Sequence, residues 1–181
     1  MNYATVKTHD IANGPGVRVS LYISGCTHHC KGCFNPETWD FNYGQPFDEA
    51  VQEKIIKALE PSYIKGFSLL GGEPFEPQNS AALVPFLKRL KDIYPEKSIW
   101  CYSGYDLEKD MLTYRLGDEH VIMGMLSCID VLVDGEFVES KKVIDLRFRG
   151  STNQRIIDVQ KTLETDDIVL WVDPHADADV K

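Results

Sequence analysis

Hydrophobic and polar residues alternate along the chain in a way that predicts strands and helices in turn. Val17-Arg18-Val19-Ser20-Leu21-Tyr22-Ile23-Ser24 is rich in β-branched and aromatic residues, opens after the turn Asn13-Gly14-Pro15-Gly16 and closes at Gly25. That composition and punctuation predict a strand. Between Asp48 and Glu60, Val51, Ile55, Ile56 and Leu59 fall at helical intervals, with Asp48 able to cap the start and Pro61 following the end. Gly66-Phe67-Ser68-Leu69-Leu70 reads as a short strand running into Gly71-Gly72-Glu73-Pro74. A second helix is expected from Ser80 to Ile93, with Leu83, Phe86, Leu87 and Leu90 inward, although Pro85 inside it is tolerated only near a first turn.

Further on, Ser98-Ile99-Trp100-Cys101-Tyr102 predicts a third strand ended by Ser103-Gly104, residues 106–116 a helix, and Ile129-Asp130-Val131-Leu132-Val133 a fourth strand. Residues 141–151 read as a loop or edge. Arg155-Ile156-Ile157-Asp158-Val159 and Ile168-Val169-Leu170-Trp171-Val172 read as further strands, before a polar tail, 174–181, expected to fray. Strands alternating with helices predict βα units around a parallel sheet, in which ligands sit at the carboxyl ends of the strands. The loop after Ile23, the Gly71-Gly72-Glu73-Pro74 segment and Ser103-Gly104-Tyr105 all fall at such ends. They are therefore expected to share one rim.

With 43% hydrophobic and 26% charged residues in 181, the composition is that of a single globular domain. Nineteen basic against twenty-eight acidic side chains leave a net charge of −9, which repels a phosphate backbone, so nucleic acid is excluded as a partner. The N-terminus has no basic start followed by an apolar run, and no stretch approaches the roughly 18 apolar residues of a membrane span. A cytoplasmic protein without a membrane partner is expected. Cys101 and Cys128 stand alone in apolar stretches and are expected to be buried, reduced thiols.

The other three cysteines carry chemistry. Cys26, Cys30 and Cys33 form a C-x3-C-x2-C loop with no fourth cysteine nearby. An iron–sulfur cubane normally takes four thiolates, so three leave one iron open to a ligand that is not protein. Flanking Gly25, internal Gly32 and Pro36 favour a wrapped loop, with Gly32 letting backbone N–H groups turn toward the sulfurs. The competing possibility is a structural zinc site, with His28 or His29 as fourth ligand to a Cys3His set; otherwise both histidines are expected to be solvated.

The C-x3-C-x2-C loop followed by an aromatic residue, Phe34, with Gly71-Gly72-Glu73-Pro74 after the next strand, resembles the radical S-adenosylmethionine superfamily. Asn13-Gly14-Pro15-Gly16, Asn35-Pro36-Glu37-Thr38-Trp39, Val131-Leu132-Val133-Asp134-Gly135 and Arg149-Gly150-Ser151-Thr152-Asn153-Gln154 narrow the resemblance to the activators of anaerobic ribonucleoside-triphosphate reductase. The resemblance covers residues 2–159; Glu73 stands where some members carry Asp.

It implies a 4Fe-4S cluster held by Cys26, Cys30 and Cys33, with S-adenosylmethionine chelating the open iron. One electron, supplied by a donor such as a flavodoxin, cleaves the carbon–sulfur bond to methionine and a 5′-deoxyadenosyl radical, which takes hydrogen from a glycine of the large reductase. No catalytic side chain beyond the cluster ligands is expected. The implied cofactor contacts are Gly32, Cys33, Phe34, Gly71, Gly72, Glu73, Pro74 and Ser103. The two glycines would let backbone carbonyls approach the methionyl ammonium, and Glu73 would add a negative charge. Since a full eight-fold barrel takes roughly 200 or more residues, the expected fold is α/β, an incomplete parallel barrel in a single domain.

An activator of another glycyl-radical enzyme such as pyruvate formate-lyase, a small-molecule radical enzyme and a zinc-stabilised binding module are the alternatives. Arg18, Arg147, Arg149 and Arg155 are candidates either for partner or carboxylate binding or for internal pairing. Trp39, Phe41 and Tyr43 could cap the core or shape a docking face.

Overall fold

The computed structural model describes residues 1–173, so the tail at 174–181 lies outside the described residues. In chain order the elements are β1 (Asn2–Asp10), β2 (Val17–Ile23), β3 (Gln45–Pro46), α1 (Glu49–Leu59), β4 (Ile64–Gly71), α2 (Pro77–Ile93), β5 (Ser98–Tyr102), α3 (Glu119–Leu126), β6 (Val131–Asp134), β7 (Arg155–Asp158) and α4 (Val159–Thr165). The strands form one sheet in the order β3-β1-β2-β4-β5-β6-β7. Its middle, β2-β4-β5-β6, is parallel. Both flanks are antiparallel, β1 against β2 and β7 against β6. The all-parallel expectation is therefore corrected to an open, mixed α/β sheet, because the N-terminal strand returns beside β2 through the short Ile11–Gly16 turn and cannot make a parallel crossover.

Alternate residues of the parallel strands face the helices. Val19, Leu21 and Ile23, then Phe67 and Leu69, Ile99 and Cys101, and Leu132 pack against Val51, Ile55, Leu59, Leu83, Phe86, Leu90, Ile122 and Met125. Each fully buried Leu, Ile or Phe there contributes roughly 1.5–3 kcal/mol. The intervening positions, including Arg18, Ser20, Tyr22, Ser68 and Tyr102, turn to the opposite face, where Trp100, Val131 and Val133 meet Phe148, Ile156 and Trp171. Among the described residues no helix is long and apolar enough to cross a membrane.

Several elements depart from the expectations. α2 starts at Pro77 rather than Ser80, and Pro85 sits in its middle. Pro85 and Ala81 are exposed, so the carbonyl that loses its helical partner faces water. The helix expected over 106–116 is only a wide turn, Leu107–Met111, held open because the Leu107 N–H donates to Asp134 Oδ2 at 3.0 Å. α3, unpredicted, tolerates Gly124 because a Cβ there would come 3.1 Å from Val84 of α2. The segment 168–172 is no full strand: it touches β7 through one bridge, Ile157 to Leu170.

Candidate metal-cofactor site

Ile23 ends β2 and Gly71 ends β4 side by side in the parallel register, and β5 ends at Tyr102 on the far side of β4. The three loops leaving these ends converge as expected. Cys26, Cys30, Cys33, Phe34, Gly71, Gly72, Glu73 and Ser103 line one cleft, joined by His28, Trp39, Tyr102, Phe137 and Gln154. Two expected contacts do not line it. Pro74 is buried behind the rim, and Gly32 lies exposed on the outer side of the loop beneath the Glu139 side chain.

None of the three thiols is in a disulfide. Burial pushes Cys26 up to about 12 and Cys30 up to about 11, so without a metal both are neutral thiols at pH 7. Backbone N–H groups nevertheless face each sulfur: His28 and His29 toward Cys26, Phe137 toward Cys30, and Asn35 donating to Cys33 Sγ at 3.4 Å. Donors around each sulfur favour thiolate character and tune a cluster bound there, so the residues present fit an iron–sulfur group. A structural zinc ion would need four donors about 2.0–2.3 Å from one point. Among the described residues no three His, Cys, Asp or Glu side chains, the three cysteines included, gather about one point in that way.

His28 and His29 part company. His29 is exposed and lies against Trp39, ring centroids 4.7 Å apart. His28, expected to be solvated, is instead half-buried, with its ring 4.3 Å from that of Tyr105 and Nε2 3.3 Å from Glu73 Oε2. The approach is an ion-pair distance without hydrogen-bond alignment, so Nε2 has no hydrogen-bond partner. Burial opposes a charge on His28, but Glu73, backed by Glu136 and Glu76, raises its pKa above the ordinary value.

Glu73 is only 1% exposed, and its carboxylate ties the strand ends together. Oε1 accepts from Ser103 Oγ at 2.8 Å and from the Phe75 N–H at 2.9 Å, while Oε2 accepts from the Gly104 N–H at 2.7 Å. Ser103, whose proton is committed to Glu73, therefore supports the carboxylate. The two glycines also have a local reason. Gly71 has φ +110° and a Cβ on it would lie 2.6 Å from the Ile23 backbone; one on Gly72 would lie 2.5 Å from the Gly25 carbonyl oxygen. They bring the strand end against the cysteine loop, where the Gly72 N–H donates to Ile23 O at 2.7 Å and the Glu73 N–H to Gly25 O at 2.8 Å.

The N-cap and first turn of α2 supply two buried residues that sequence reasoning missed. Glu76 Oε1 accepts from the N–H and hydroxyl of Thr27, and Asn79 reaches the backbone on both sides of the rim. Their spacing of three residues, Glu73, Glu76, Asn79, was the available signal. Starting the helix at Ser80 concealed it.

The candidate arginines pair internally. Arg18 is sealed on the helix-free face, donating from Nε to Ser68 Oγ at 2.7 Å, from Nη1 to Ser98 Oγ at 3.0 Å and from Nη2 to the Phe67 and Ser98 carbonyls at 2.8 Å each; burial lowers its pKa to about 10. Arg155 grips Asp134 with two nitrogens and reaches Glu108 at 2.6 Å. Arg149 donates to the Gln154 carbonyl at 2.7 Å, and Arg147 pairs with Asp173 at 2.9 Å. Gln154 in turn holds the loop, accepting from the Gly150 and Ser151 N–H groups and donating to Gly135 O at 3.0 Å.

Three free thiols ringed by backbone donors, at the carboxyl edge of an α/β sheet, define an iron–sulfur protein, and a family model for the 4Fe-4S single cluster domain matches residues 12–157. The anaerobic ribonucleoside-triphosphate reductase-activating protein of Pasteurella multocida is 42% identical over 161 residues, covering 86% of this chain and 96% of that protein. Its namesake in Escherichia coli strain K12 is 42% identical over 156 residues (85% and 96%), and that of Enterobacteria phage T4 36% identical over 156 residues (86% and 93%). The chain belongs to this family of reductase-activating proteins.

Proposed function

We propose that this chain activates an anaerobic ribonucleoside-triphosphate reductase by radical S-adenosylmethionine chemistry. The reading is carried by one juxtaposition: three free thiols face the Gly71-Gly72-Glu73 strand end across a single cleft, in a chain about 40% identical to named activators over most of its length. When bound, a 4Fe-4S cluster with S-adenosylmethionine on its open iron supplies the electron and the 5′-deoxyadenosyl radical that takes hydrogen from a reductase glycine.

Cys26, Cys30 and Cys33 would hold three irons, and the N–H groups of residues 28, 29, 35 and 137 would steady the sulfurs. The Gly71-Gly72 backbone would face the methionyl ammonium, with Cys33 and Phe34 along the wall and Gly32 behind it. Glu73, Pro74 and Ser103 would keep that turn in shape; the carboxylate's negative charge also favours a cation nearby. Helices on one face and a more polar opposite face support an incomplete barrel of the radical S-adenosylmethionine type in one domain. Its open side would admit a glycine-bearing loop of the reductase. A flavodoxin or similar carrier would supply the electron, and five free cysteines suit the reducing cytoplasm.

Anaerobically reconstituted protein, reduced with dithionite and given S-adenosylmethionine, should release 5′-deoxyadenosine. Mixed with an anaerobic ribonucleotide reductase, it should raise a glycyl signal in electron spin resonance. Activation of a formate-lyase in place of the reductase would overturn the partner, and colourless protein holding one zinc would overturn the chemistry.

A further inference from the structure

Asn79 lies fully buried in the first turn of α2, behind the cleft and not lining it. Its Nδ2 stands 3.1 Å from Ser24 O, 3.2 Å from Gly25 O and 3.0 Å from Glu73 O. An amide nitrogen carries two hydrogens, so three carbonyls share them. Oδ1 is buried without a partner. Flipping the amide would set that oxygen against three carbonyl oxygens, which leaves one orientation.

The three carbonyls belong to the two segments whose relative placement matters for the cleft. Ser24-Gly25 leads directly into Cys26, and Glu73 ends the Gly71-Gly72 turn. Backbone bonds from Gly72 to Ile23 and from Glu73 to Gly25 run alongside, and Glu76 of the same helix holds Thr27 on the other side of Cys26. The second half of the loop has no such anchor to α2 among these bonds. Cys26 is therefore the thiol whose distance from the glycine turn is set by α2.

We propose that Asn79 is a positioning residue that fixes Cys26 relative to the Gly71-Gly72 backbone. Through that spacing it sets the affinity for S-adenosylmethionine, which must span the cluster and the glycine turn. This rests on the function proposed above. Removing the amide leaves the three cysteines in place, so cluster content is preserved while the second ligand is misaligned.

The test compares full-length wild type with Asn79→Ala and Asn79→Asp after anaerobic reconstitution. Iron and sulfide per chain report the cluster, and the change in the reduced cluster's electron spin resonance spectrum on adding S-adenosylmethionine reports its dissociation constant. Both variants should carry wild-type iron and sulfide and bind S-adenosylmethionine about tenfold more weakly or worse, the net worth of one or two hydrogen bonds. Asn79→Asp should be the weaker, since a carboxylate faces the carbonyls. A dissociation constant within twofold of wild type in both loaded variants overturns the inference. If a variant holds no cluster, amide hydrogen exchange on the apo chain decides. Faster exchange confined to residues 24–28 and 72–75 supports positioning, and exchange raised evenly across the sheet overturns it. Failure of the wild type itself to respond to S-adenosylmethionine would instead refute the proposed function.

Discussion

Replacing Glu73 with Gln keeps the shape of the side chain and removes one acceptor oxygen, which makes it the sharpest probe of what this buried carboxylate does. In the wild type its two oxygens accept from Ser103 Oγ, the Phe75 N–H and the Gly104 N–H. A carboxamide cannot satisfy all three. With its NH2 at the Oε2 position it meets the Gly104 N–H; turned over, it meets the Phe75 N–H, and only the Ser103 hydroxyl can rotate to accept. Either way one buried backbone donor is orphaned, at about 1–3 kcal/mol, and the remaining bonds lose their charge assistance. A total of about 2–4 kcal/mol is expected, which for a chain of this size lowers the melting temperature by on the order of 10 °C. The assay is thermal unfolding of the apo chain under reducing conditions, with no S-adenosylmethionine present. If Glu73→Gln melts within about 2 °C of wild type and only S-adenosylmethionine binding suffers, the carboxylate acts on the ligand directly and the bracing role is refuted.

Alanine at Cys26, Cys30 or Cys33 should abolish both the visible chromophore and 5′-deoxyadenosine release, whereas Cys101→Ala should retain both; a fully active Cys30→Ala would remove it from the ligand set. Gly72→Ala forces a methyl to within 2.5 Å of the Gly25 oxygen and should cost about 1–3 kcal/mol by urea unfolding. Unchanged stability there would show that the glycine is not demanded by the cysteine loop. Burial alone would raise the pKa of Asp10, but the nearby Ser20 hydroxyl, hydrogen bonds from the Ala12 N–H at 3.0 Å and Asn13 Nδ2 at 2.6 Å, and the Lys7 charge outweigh it and hold the carboxyl below its ordinary value of 3.8. Its contribution is therefore present above that value and lost as pH falls through the lower folded value. Asp10→Asn should flatten the acid limb of the apo chain's stability profile, and an identical acid limb in the variant would contradict this.

Much of the frame was legible because local signals are strong where apolar runs meet turns. β2, β4, β5 and α1 fall within two residues of expectation, and Asp48 caps α1 as its type and position suggest, accepting from the Val51 N–H at 3.1 Å. β1 was missed since its residues are mostly half-exposed and polar, and its strand state comes from pairing with β2. The wide turn at Leu107–Met111 likewise answers to Asp134, twenty-seven residues away in the chain.

The three cysteines and the glycine-rich turn could be read from the chain alone, because metal ligation and close backbone approach demand particular residue types at short, fixed spacings. Which residues brace them could not. Glu73 meets Ser103 across thirty residues and Asn79 meets Ser24 across fifty-five; the three-residue spacing of Glu73, Glu76 and Asn79 hints at one face but names none of these partners, which meet only when parallel strands bring their carboxyl ends together. Spacing along the chain selected the ligands; the pairing of distant strands decided how a carboxylate and a carboxamide hold them.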